Sequence, residues 1–244
     1  MPRFFVAPEI LDQSTVELTG AHAVHGKVLR LQIGDHVTLC DGDGTDGDGV
    51  ITQISSDAIY VDLLSTAPAQ SEPSHRVTVF MAYAKGDKLE HVIQKATELG
   101  AWEIVAFPAS RCVAKVDGKS LSKKLERWQK IAVSAGEQAG RGRIPQVRAA
   151  SSFAQAVAWM QTMDLPILLY ENEDQFSLRQ ALSGFQGESV ALMSGPEGGF
   201  DPSEIQVALD AGISICTLGT RILRCETAPL CALSATMFAT GELG

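Results

Sequence analysis

The chain has 244 residues, 45% of them hydrophobic, and a formal net charge of −9. This length and composition can fill one large core or two smaller ones, and no apolar run reaches the length needed to span a bilayer. The N-terminal segment meets Pro8, Glu9 and Asp12 too soon for a signal peptide, and the five cysteines are scattered without a CxxC pair. We therefore expect reduced thiols in a cytoplasmic protein, without a disulfide or zinc framework.

The first part of the chain shows the pattern of an all-β domain. Short strands separated by turn residues, as in a small barrel, are predicted at 4–6, 15–18, 36–40, 50–54 and 59–63. The acid- and glycine-rich stretch 41–49 is predicted to be a polar hairpin turn. A calcium loop of the EF-hand type would need glycine in place of Asp46 and glutamate in place of Thr52. Residues 67–74 contain two prolines and are predicted to be a linker, which bounds a first domain at 1–72.

Beyond this linker, strands and helices alternate, which predicts a mainly parallel sheet in an α/β domain at 73–244. The predicted strands are 76–83, 167–170, 190–193 and 213–218. The predicted helices are 87–99, about 120–139, one from 152, a short one near 178, one from 201 and about 227–240. Asp87 and Glu90 are expected to form a capping box, and Asp201 begins a helix with Glu204 at its third position. The last helix is small and strongly apolar, so we expect it to pack against a second copy in a homodimer.

The charge is distributed unevenly along the chain. Residues 85–148 carry 13 Lys or Arg against 7 Asp or Glu, whereas the rest of the chain carries 7 against 22. A basic segment within an acidic chain can form a phosphate-binding face. Two solvated amphipathic helices would give the same pattern, so charge alone does not decide between these interpretations.

Two glycine-containing loops are the most informative segments. Residues 195–200 read GPEGGF and residues 218–228 read LGTRILRCETA, and each follows a short apolar run that is predicted to be a buried strand. Loops at the ends of neighbouring parallel strands are where an α/β sheet holds a nucleotide-like ligand, because glycine lets the backbone approach the ligand closely. Neither loop has the GxGxxG pattern or a P-loop lysine, so we expect neither a dinucleotide site nor nucleotide hydrolysis.

These loops resemble the cofactor loops of the SPOUT class of S-adenosylmethionine-dependent RNA methyltransferases, and most closely those of the RsmE family, which methylates N3 of a uridine in small-subunit ribosomal RNA. Further matches follow in family order: PRFF at 2–5, HGKVLR at 25–30, KGDKLEHVIQKATELG at 85–100, SRCVAK at 110–115 and EQAGRGRIP at 137–145. The resemblance covers nearly the whole chain. It implies a PUA-like β-barrel, an α/β methyltransferase domain with a C-terminal trefoil knot, and a homodimer.

The resemblance also implies S-adenosyl-L-methionine as the cofactor, and 16S ribosomal RNA or the small ribosomal subunit as the partner. The expected cofactor residues lie in the two loops, in the strand before the first loop and at the end of an earlier strand: Tyr170, Glu171, Leu192, Gly195, Pro196, Glu197, Gly198, Gly199, Leu218, Gly219, Ile222 and Leu223. Apolar side chains would surround the adenine, and backbone amides would meet its polar edge. Each leucine would equally suit an ordinary core position.

The expected catalytic residues combine acids with arginines: Glu137, Arg141, Arg221 and Glu226. Uracil N3 carries a proton, so the reaction needs a base or another route for proton loss, and donors for charge on O2 and O4. We expect the arginines to contact phosphate or the target base. Glu137 could instead form a salt bridge beside them, and Glu226 could cap the last helix. The expected RNA contacts are basic: Arg3, Lys27, Arg30, Lys85, Lys88, Arg111 and Arg143.

Two other functions stay open from the sequence. A SPOUT enzyme that methylates a ribose 2′-hydroxyl has a similar glycine and glutamate pattern, although the barrel and the EQAGRGR stretch favour a base methylase. A non-catalytic RNA-binding assembly factor would keep the same fold without binding the cofactor. His22 and His25 have a spacing seen in metal sites, but no further ligands accompany them in the sequence, and we expect no metal.

Overall fold

The computed structural model describes residues 1–114, 116 and 118–243, so Lys115 of the SRCVAK motif lies outside the described residues. The chain divides into two compact units. The first contains Met1–Glu72 and Gly136–Ile144, and the second contains Pro73–Ala135 and Pro145–Gly244. None of the described helices is both long and apolar enough to cross a membrane.

The first unit is built on a five-stranded sheet. Its strands are β1 Arg3–Phe5, β2 Thr15–Thr19, β3 His36–Cys40, β4 Thr45–Ile54 and β5 Ala58–Pro68. They lie in the order β1-β3-β4-β5-β2, with β1 parallel to β3 and the other pairs antiparallel. Apolar residues from these strands form their own core, whose fully buried members include Phe4, Leu18, Leu39 and Ile51. The expected β-rich character of this part of the chain is confirmed.

This unit differs from the sequence-based prediction in three places. A short 3-10 helix at Pro8–Asp12 follows β1, where the sequence predicts no helix. A helix, α1 at Ala21–Val28, lies between β2 and β3, where the sequence predicts none. The hairpin turn is shorter than predicted, because β4 already begins at Thr45. Gly47 and Gly49 therefore lie within the strand, where an added Cβ would lie 2.6 and 2.5 Å from side chains of β5. These two glycines do not form a turn. They lie in β4, and the absence of a side chain at each lets side chains of β5 pack closely against the strand.

The segment Gly136–Ile144 belongs to the first unit, which corrects the domain predicted at 73–244. Arg143 in this segment forms isolated β-bridges with two residues of the turn before β4. Gly142 lies so close to Ala69 that a Cβ at position 142 would be 2.1 Å from the Cβ of the alanine. The first residues of the predicted linker, up to Pro68, thus belong to strand β5, and the next residue, Ala69, packs against Gly142.

The second unit contains a six-stranded sheet in which every neighbouring pair is parallel. Its strands are β6 Arg76–Ala82, β7 Glu103–Phe107, β8 Gln146–Ala149, β9 Leu165–Leu169, β10 Ser189–Ser194 and β11 Ser214–Cys216, in the order β11-β9-β10-β6-β7-β8. The helices after β6 are α2 Lys88–Glu98, α3 Gly118–Ala139, α4 Phe153–Met160, α5 Leu178–Leu182, α6 Pro202–Asp210 and α7 Ala228–Ala239. The α/β architecture is confirmed. The sequence-based prediction missed β7 and β8.

The predicted helix starts have different outcomes. Asp201 caps α6 as expected: its side chain accepts a backbone hydrogen bond in the first turn, and Glu204 accepts from the Asp201 amide at 2.9 Å. Asp87 makes no side-chain cap at α2, so the capping box predicted there is wrong. Glu90, its expected partner, instead pairs with Arg127 of α3, with 2.7 Å between Oε2 and Nη2.

The core of the second unit lies between its sheet and its helices. Large buried side chains in this core include Phe80, Phe107, Met160 and Phe200. Helix α7 buries apolar residues on one face, and its other face is exposed, with Phe238 72% accessible.

Candidate cofactor cavity

A cavity of about 680 Å³ opens beside the carboxyl ends of β9, β10 and β11. The GPEGGF loop follows β10, and the LGTRILRCETA loop follows β11. Strand β9 lies between these two strands in the sheet, so the prediction that they are neighbours is wrong. The true order brings a third loop, residues 170–174 after β9, into the cavity wall. The carboxyl ends of parallel strands are where an α/β sheet favours a ligand.

All but one of the expected cofactor residues line this cavity. They are Tyr170, Glu171, Gly195, Pro196, Glu197, Gly198, Gly199, Leu218, Gly219, Ile222 and Leu223. The exception is Leu192, which is fully buried in β10 between the paired strands β9 and β6. A side chain at this position fills the core, and Ser194 at the end of β10 lines the cavity instead.

The loop after β9 brings three carboxylates to the cavity, of which only Glu171 was expected. Glu173 and Asp174 also line it. The backbone amides of Phe176 and Gln175 donate to Glu173 Oε1 at 2.9 and 2.8 Å and lower the pKa of that carboxyl. The carboxylates of Glu171 and Asp174 have no hydrogen-bond or ion-pair partner among the described residues. A run of acids directly after a predicted strand was the signal that could have identified them.

Gly199 shows why the loop after β10 contains glycine. Its φ is +67°, a conformation that costs a residue with a side chain energy, and an added Cβ would lie 2.1 Å from Oε1 of Glu171. The missing side chain therefore leaves room for the Glu171 carboxylate and allows the bare backbone to line the cavity.

Arg221 and Arg224, on the loop after β11, bring positive charge to the cavity. Both residues line it, and both are exposed. Within the part of the chain that the structure describes, neither guanidinium forms an ion pair or a hydrogen bond. The cavity thus presents both signs of charge in groups that do not neutralise each other, an arrangement suited to a small ligand with charges of both signs.

Lys88, expected on the RNA surface, lines this cavity instead. Its ammonium nitrogen lies 3.1 Å from Oε1 of Glu197 and 3.5 Å from Oε2 of Glu226. The hydrogen bond to Glu197 is the largest reason that the pKa of Lys88 is raised. Glu226 does not cap α7, whose N-cap is Thr227 without a side-chain bond, so the capping interpretation is wrong. The pKa of Glu226 is lowered, chiefly by its own backbone amide.

Comparison with known families identifies the fold. The family model of an RNA methyltransferase domain matches residues 70–237, and that of an RNA methyltransferase PUA domain matches residues 26–64. The chain belongs to the RNA methyltransferase family. This methyltransferase is 36% identical over 249 residues to Ribosomal RNA small subunit methyltransferase E of Bacillus subtilis, with 98% of this chain and 97% of that protein covered. The protein of the same name from Synechocystis is 36% identical over 238 residues, covering 95% and 76%.

A solved structure of a relative agrees with this assignment. Ribosomal RNA small subunit methyltransferase E from Neisseria gonorrhoeae, bound to S-adenosyl methionine, superposes with a TM-score of 0.84 at 30% identity. The match covers 98% of this chain and 97% of that one, so the likeness extends over both units of the methyltransferase.

Several basic residues expected to contact RNA in this methyltransferase already pair with carboxylates. Arg3 Nη1 lies 2.6 Å from Asp46 Oδ1, and Arg111 Nη2 lies 3.3 Å from Asp201 Oδ2. Arg143 pairs with an aspartate of the turn before β4. Neutralised cations attract phosphate less strongly, so these positions are weaker candidates for RNA contacts than the sequence implied.

Three other expected RNA contacts are exposed. Lys27 is exposed, and its ammonium donates to the carbonyl of Ser56. Arg30 is exposed at a position where the backbone has a φ of 57°. Lys85 is exposed as well, and its backbone amide donates to Oε1 of Glu197 at 2.9 Å. Their charged groups face solvent, which keeps them as candidates for phosphate contacts.

Arg141 has a structural role that the sequence did not reveal. It is 3% exposed, and its Nε and Nη2 donate to the carboxylate of Glu72 at 2.9 and 2.6 Å. The same carboxylate accepts from the amides of Gly142 and Arg143 at 2.8 and 3.0 Å. The expected contact of Arg141 with phosphate or base is wrong, because its guanidinium is buried and already engaged. Glu137, expected to act beside it, is not among the residues that line the cavity.

Proposed function

We propose that this chain transfers a methyl group from S-adenosyl-L-methionine to N3 of a uridine in small-subunit (16S) ribosomal RNA. The observation that carries the proposal is the cavity beside β9, β10 and β11, with its two glycine-containing loops and its charges of both signs. A relative with the same fold over its whole length is bound to this cofactor, and relatives at 36% identity are named small-subunit ribosomal RNA methyltransferases.

The residues of the cavity fit the proposed cofactor. A volume of about 680 Å³ lies within the range of small-molecule sites. Leu218 and Leu223 provide apolar surface for an adenine ring, and the backbone of 195–199 offers hydrogen bonds to its polar edge. The unpaired carboxylates of Glu171 and Asp174 suit the positive groups of the cofactor. When bound, its sulfonium would supply an activated methyl group.

The residues of the chain would contribute mainly alignment and electrostatic stabilisation. We propose that Arg221 and Arg224, which line the cavity, stabilise negative charge on uracil O2 and O4 as N3 loses its proton. The pKa of Glu226 is lowered and its carboxylate is ionised near neutral pH, but Lys88 and the Cys225 thiol already contact it. We therefore assign Glu226 to the structure of the loop and leave proton removal to water or to another group.

The proposal extends to the partners and location of the protein. We propose 16S ribosomal RNA or the small ribosomal subunit as the substrate, the cytoplasm as the location, and a homodimer with a trefoil-knotted second unit. The exposed positions of α7 recur at helical spacing and form one stripe: Cys231, Ala235, Phe238 and Ala239. An exposed apolar stripe of this kind is typical of protein interfaces and supports the dimer.

Mass spectrometry of ribosomal RNA nucleosides tests the proposed reaction. RNA from cells lacking the gene should lose 3-methyluridine, and the wild-type gene should restore it. A gene encoding Gly199→Val, which disturbs the cavity, should not. Loss of a 2′-O-methyl nucleoside instead would show a ribose methyltransferase. Unchanged RNA, with no heat when S-adenosylmethionine is titrated into the protein, would show a non-catalytic RNA-binding factor.

A further inference from the structure

Lys88 connects the two glycine-containing loops of the cavity. It is the first residue of α2, and its ammonium contacts Glu197 on the loop after β10 and Glu226 on the loop after β11, at 3.1 and 3.5 Å. Strands β10 and β11 are not paired with each other, because β9 lies between them. The side chain of Lys88, on a third element, therefore links two loops whose strands are not paired with each other.

The two carboxylates depend on Lys88 to different degrees. Glu197 has a second attachment, since its Oε1 also accepts from the backbone amide of Lys85 at 2.9 Å. Glu226 receives a thiol hydrogen bond from Cys225 at 3.2 Å. Burial is the largest reason that the pKa of Cys225 is raised to about 11, so this thiol is neutral near pH 7. Among the described residues, Lys88 is thus the cation that pairs with Glu226 and holds the loop after β11.

Removing the Lys88 ammonium would have two effects in the same direction. The side chains of Lys88, Glu197 and Glu226 are 27, 26 and 28% exposed, so water screens each ion pair only in part. Loss of the ammonium removes both attractions. It also leaves two carboxylates facing each other across the space that the ammonium now fills, and like charges repel.

We propose that Lys88 is a positioning residue that sets the spacing of the loops 195–200 and 218–228 for cofactor binding. This proposal rests on binding of S-adenosylmethionine in the cavity. It replaces the RNA contact expected from the sequence, because one ammonium between two carboxylates leaves a net negative charge, which does not attract phosphate.

Three variants of the full chain test this role. Lys88→Met should weaken S-adenosylmethionine binding about 10-fold in calorimetry, and raise its KM similarly, while kcat stays within about twofold because saturating cofactor restores the loop arrangement. Lys88→Arg, which keeps the charge, should recover binding to within about threefold of wild type. Lys95→Met is the matched control, because Lys95 lies on the same helix and pairs with Glu98 at 2.7 Å, and neither residue lines the cavity. It should bind the cofactor like wild type.

Hydrogen exchange separates failure of this proposal from failure of the proposed function. The amides of 218–226 should exchange faster in Lys88→Met than in wild type, even without cofactor. Unchanged exchange together with unchanged cofactor affinity in Lys88→Met would overturn the positioning role. If wild type binds no S-adenosylmethionine, the proposed function fails, whereas faster exchange in the variant would still support the connection between the loops.

A second variant tests the same contact from its acidic side, and its hydrogen exchange is informative whether or not Lys88→Met folds. Glu226→Gln keeps the shape of the side chain and removes the charge that Lys88 holds. It should speed exchange of the loop after β11 and weaken cofactor binding less than Lys88→Met does. In the double variant the losses should be smaller than their sum, because both changes break one contact. Fully additive losses would contradict a shared role.

Discussion

Two arginine-containing segments of this methyltransferase differ in what their guanidinium groups contact. In the segment Gly136–Ile144, Arg141 is 3% exposed and bonded to Glu72. In the loop after β11, Arg221 and Arg224 are exposed and line the cavity, and within the described residues no ion pair engages either guanidinium. The same residue type stabilises the first loop and leaves charge available for a ligand in the second.

This difference shows why local sequence could not separate the roles of these two segments. Both combine glycine, arginine and glutamate, and the EQAGRGR stretch therefore looked like a site of chemistry. The residue that decides the role of Arg141 is Glu72, 69 positions earlier in the chain. A buried arginine needs such a partner, because an unpaired charge in a protein interior is strongly disfavoured.

The largest effect should come from breaking the buried pair. Arg141→Met should lower the free energy of unfolding by about 3–5 kcal/mol, because it leaves the Glu72 carboxylate without its cation. Arg221→Met, at an exposed position, should change it by no more than about 0.5 kcal/mol. Urea denaturation followed by circular dichroism measures both. Equal losses of unfolding free energy in the two variants would contradict a structural role for Arg141 that Arg221 lacks.

The next effect concerns the cavity alone. Gly199→Val should weaken S-adenosylmethionine binding by about 100-fold, since the new side chain would collide with Glu171 in a conformation that valine disfavours. Gly212→Val is the matched control, because Gly212 has a φ of +77° with no atom within 4 Å of an added Cβ. Calorimetry should show the control binding like wild type. Unchanged affinity in Gly199→Val would remove this loop from the site.

The unpaired arginines should govern RNA binding. Reversing Arg221 and Arg224 to glutamate should weaken RNA binding by about 10-fold or more, and should reduce the slope of log affinity against log salt by about 1.5–2. The double change Arg148→Glu and Arg179→Glu alters the net charge equally at residues that do not line the cavity. Filter binding at several salt concentrations measures the RNA affinity of both double variants. The same loss in both would assign the effect to overall charge.

Acid should affect the first unit through Glu72. Burial tends to raise the pKa of this carboxyl, but the hydrogen bond and charge of Arg141 and two backbone amides outweigh it, so the pKa in the folded chain is lowered. Glu72 therefore contributes stability above its ordinary pKa of 4.5, and this contribution is lost as pH falls through the lower folded value. Urea denaturation from about pH 6 to about pH 3 should show a smaller acid-induced loss in Glu72→Gln than in wild type. Parallel pH profiles would contradict this assignment.

The smallest effect should separate the cofactor from its product. Glu171→Gln should weaken binding of S-adenosylmethionine by about 3–10-fold and of S-adenosylhomocysteine by less than about twofold, because only the former carries the positive sulfonium. Calorimetry with both ligands provides its own control. Equal weakening would assign Glu171 to the shape of the cavity rather than to its charge.

The sequence predicted the parts of the molecule that depend on neighbouring residues. The α6 cap at Asp201, the buried strands β9 and β10 and the two glycine-containing loops were all predicted. The order of strands could not be, because pairing in a parallel sheet joins segments distant in the chain. The position of β9 between β10 and β11 was therefore not predicted, and neither were the cavity positions of Glu173 and Asp174 or the contacts of Lys88.

Glycine was the residue most open to misinterpretation. Gly199 has the positive φ and the close approach expected of a ligand loop, whereas Gly47 and Gly49 lie in a strand and were mistaken for part of a turn. The three share a polar, glycine-rich setting in the sequence. The role of Gly47 and Gly49 is set by the packing of β5 against β4, and local composition carries no information about that contact.

Hydrogen exchange with and without S-adenosylmethionine tests the central claim most directly, because it reports which backbone segments the cofactor covers. We predict slower exchange in three segments, 170–174, 195–199 and 217–224, and unchanged exchange in 136–144. Protection of 136–144 with no change in the three cavity loops would contradict the account.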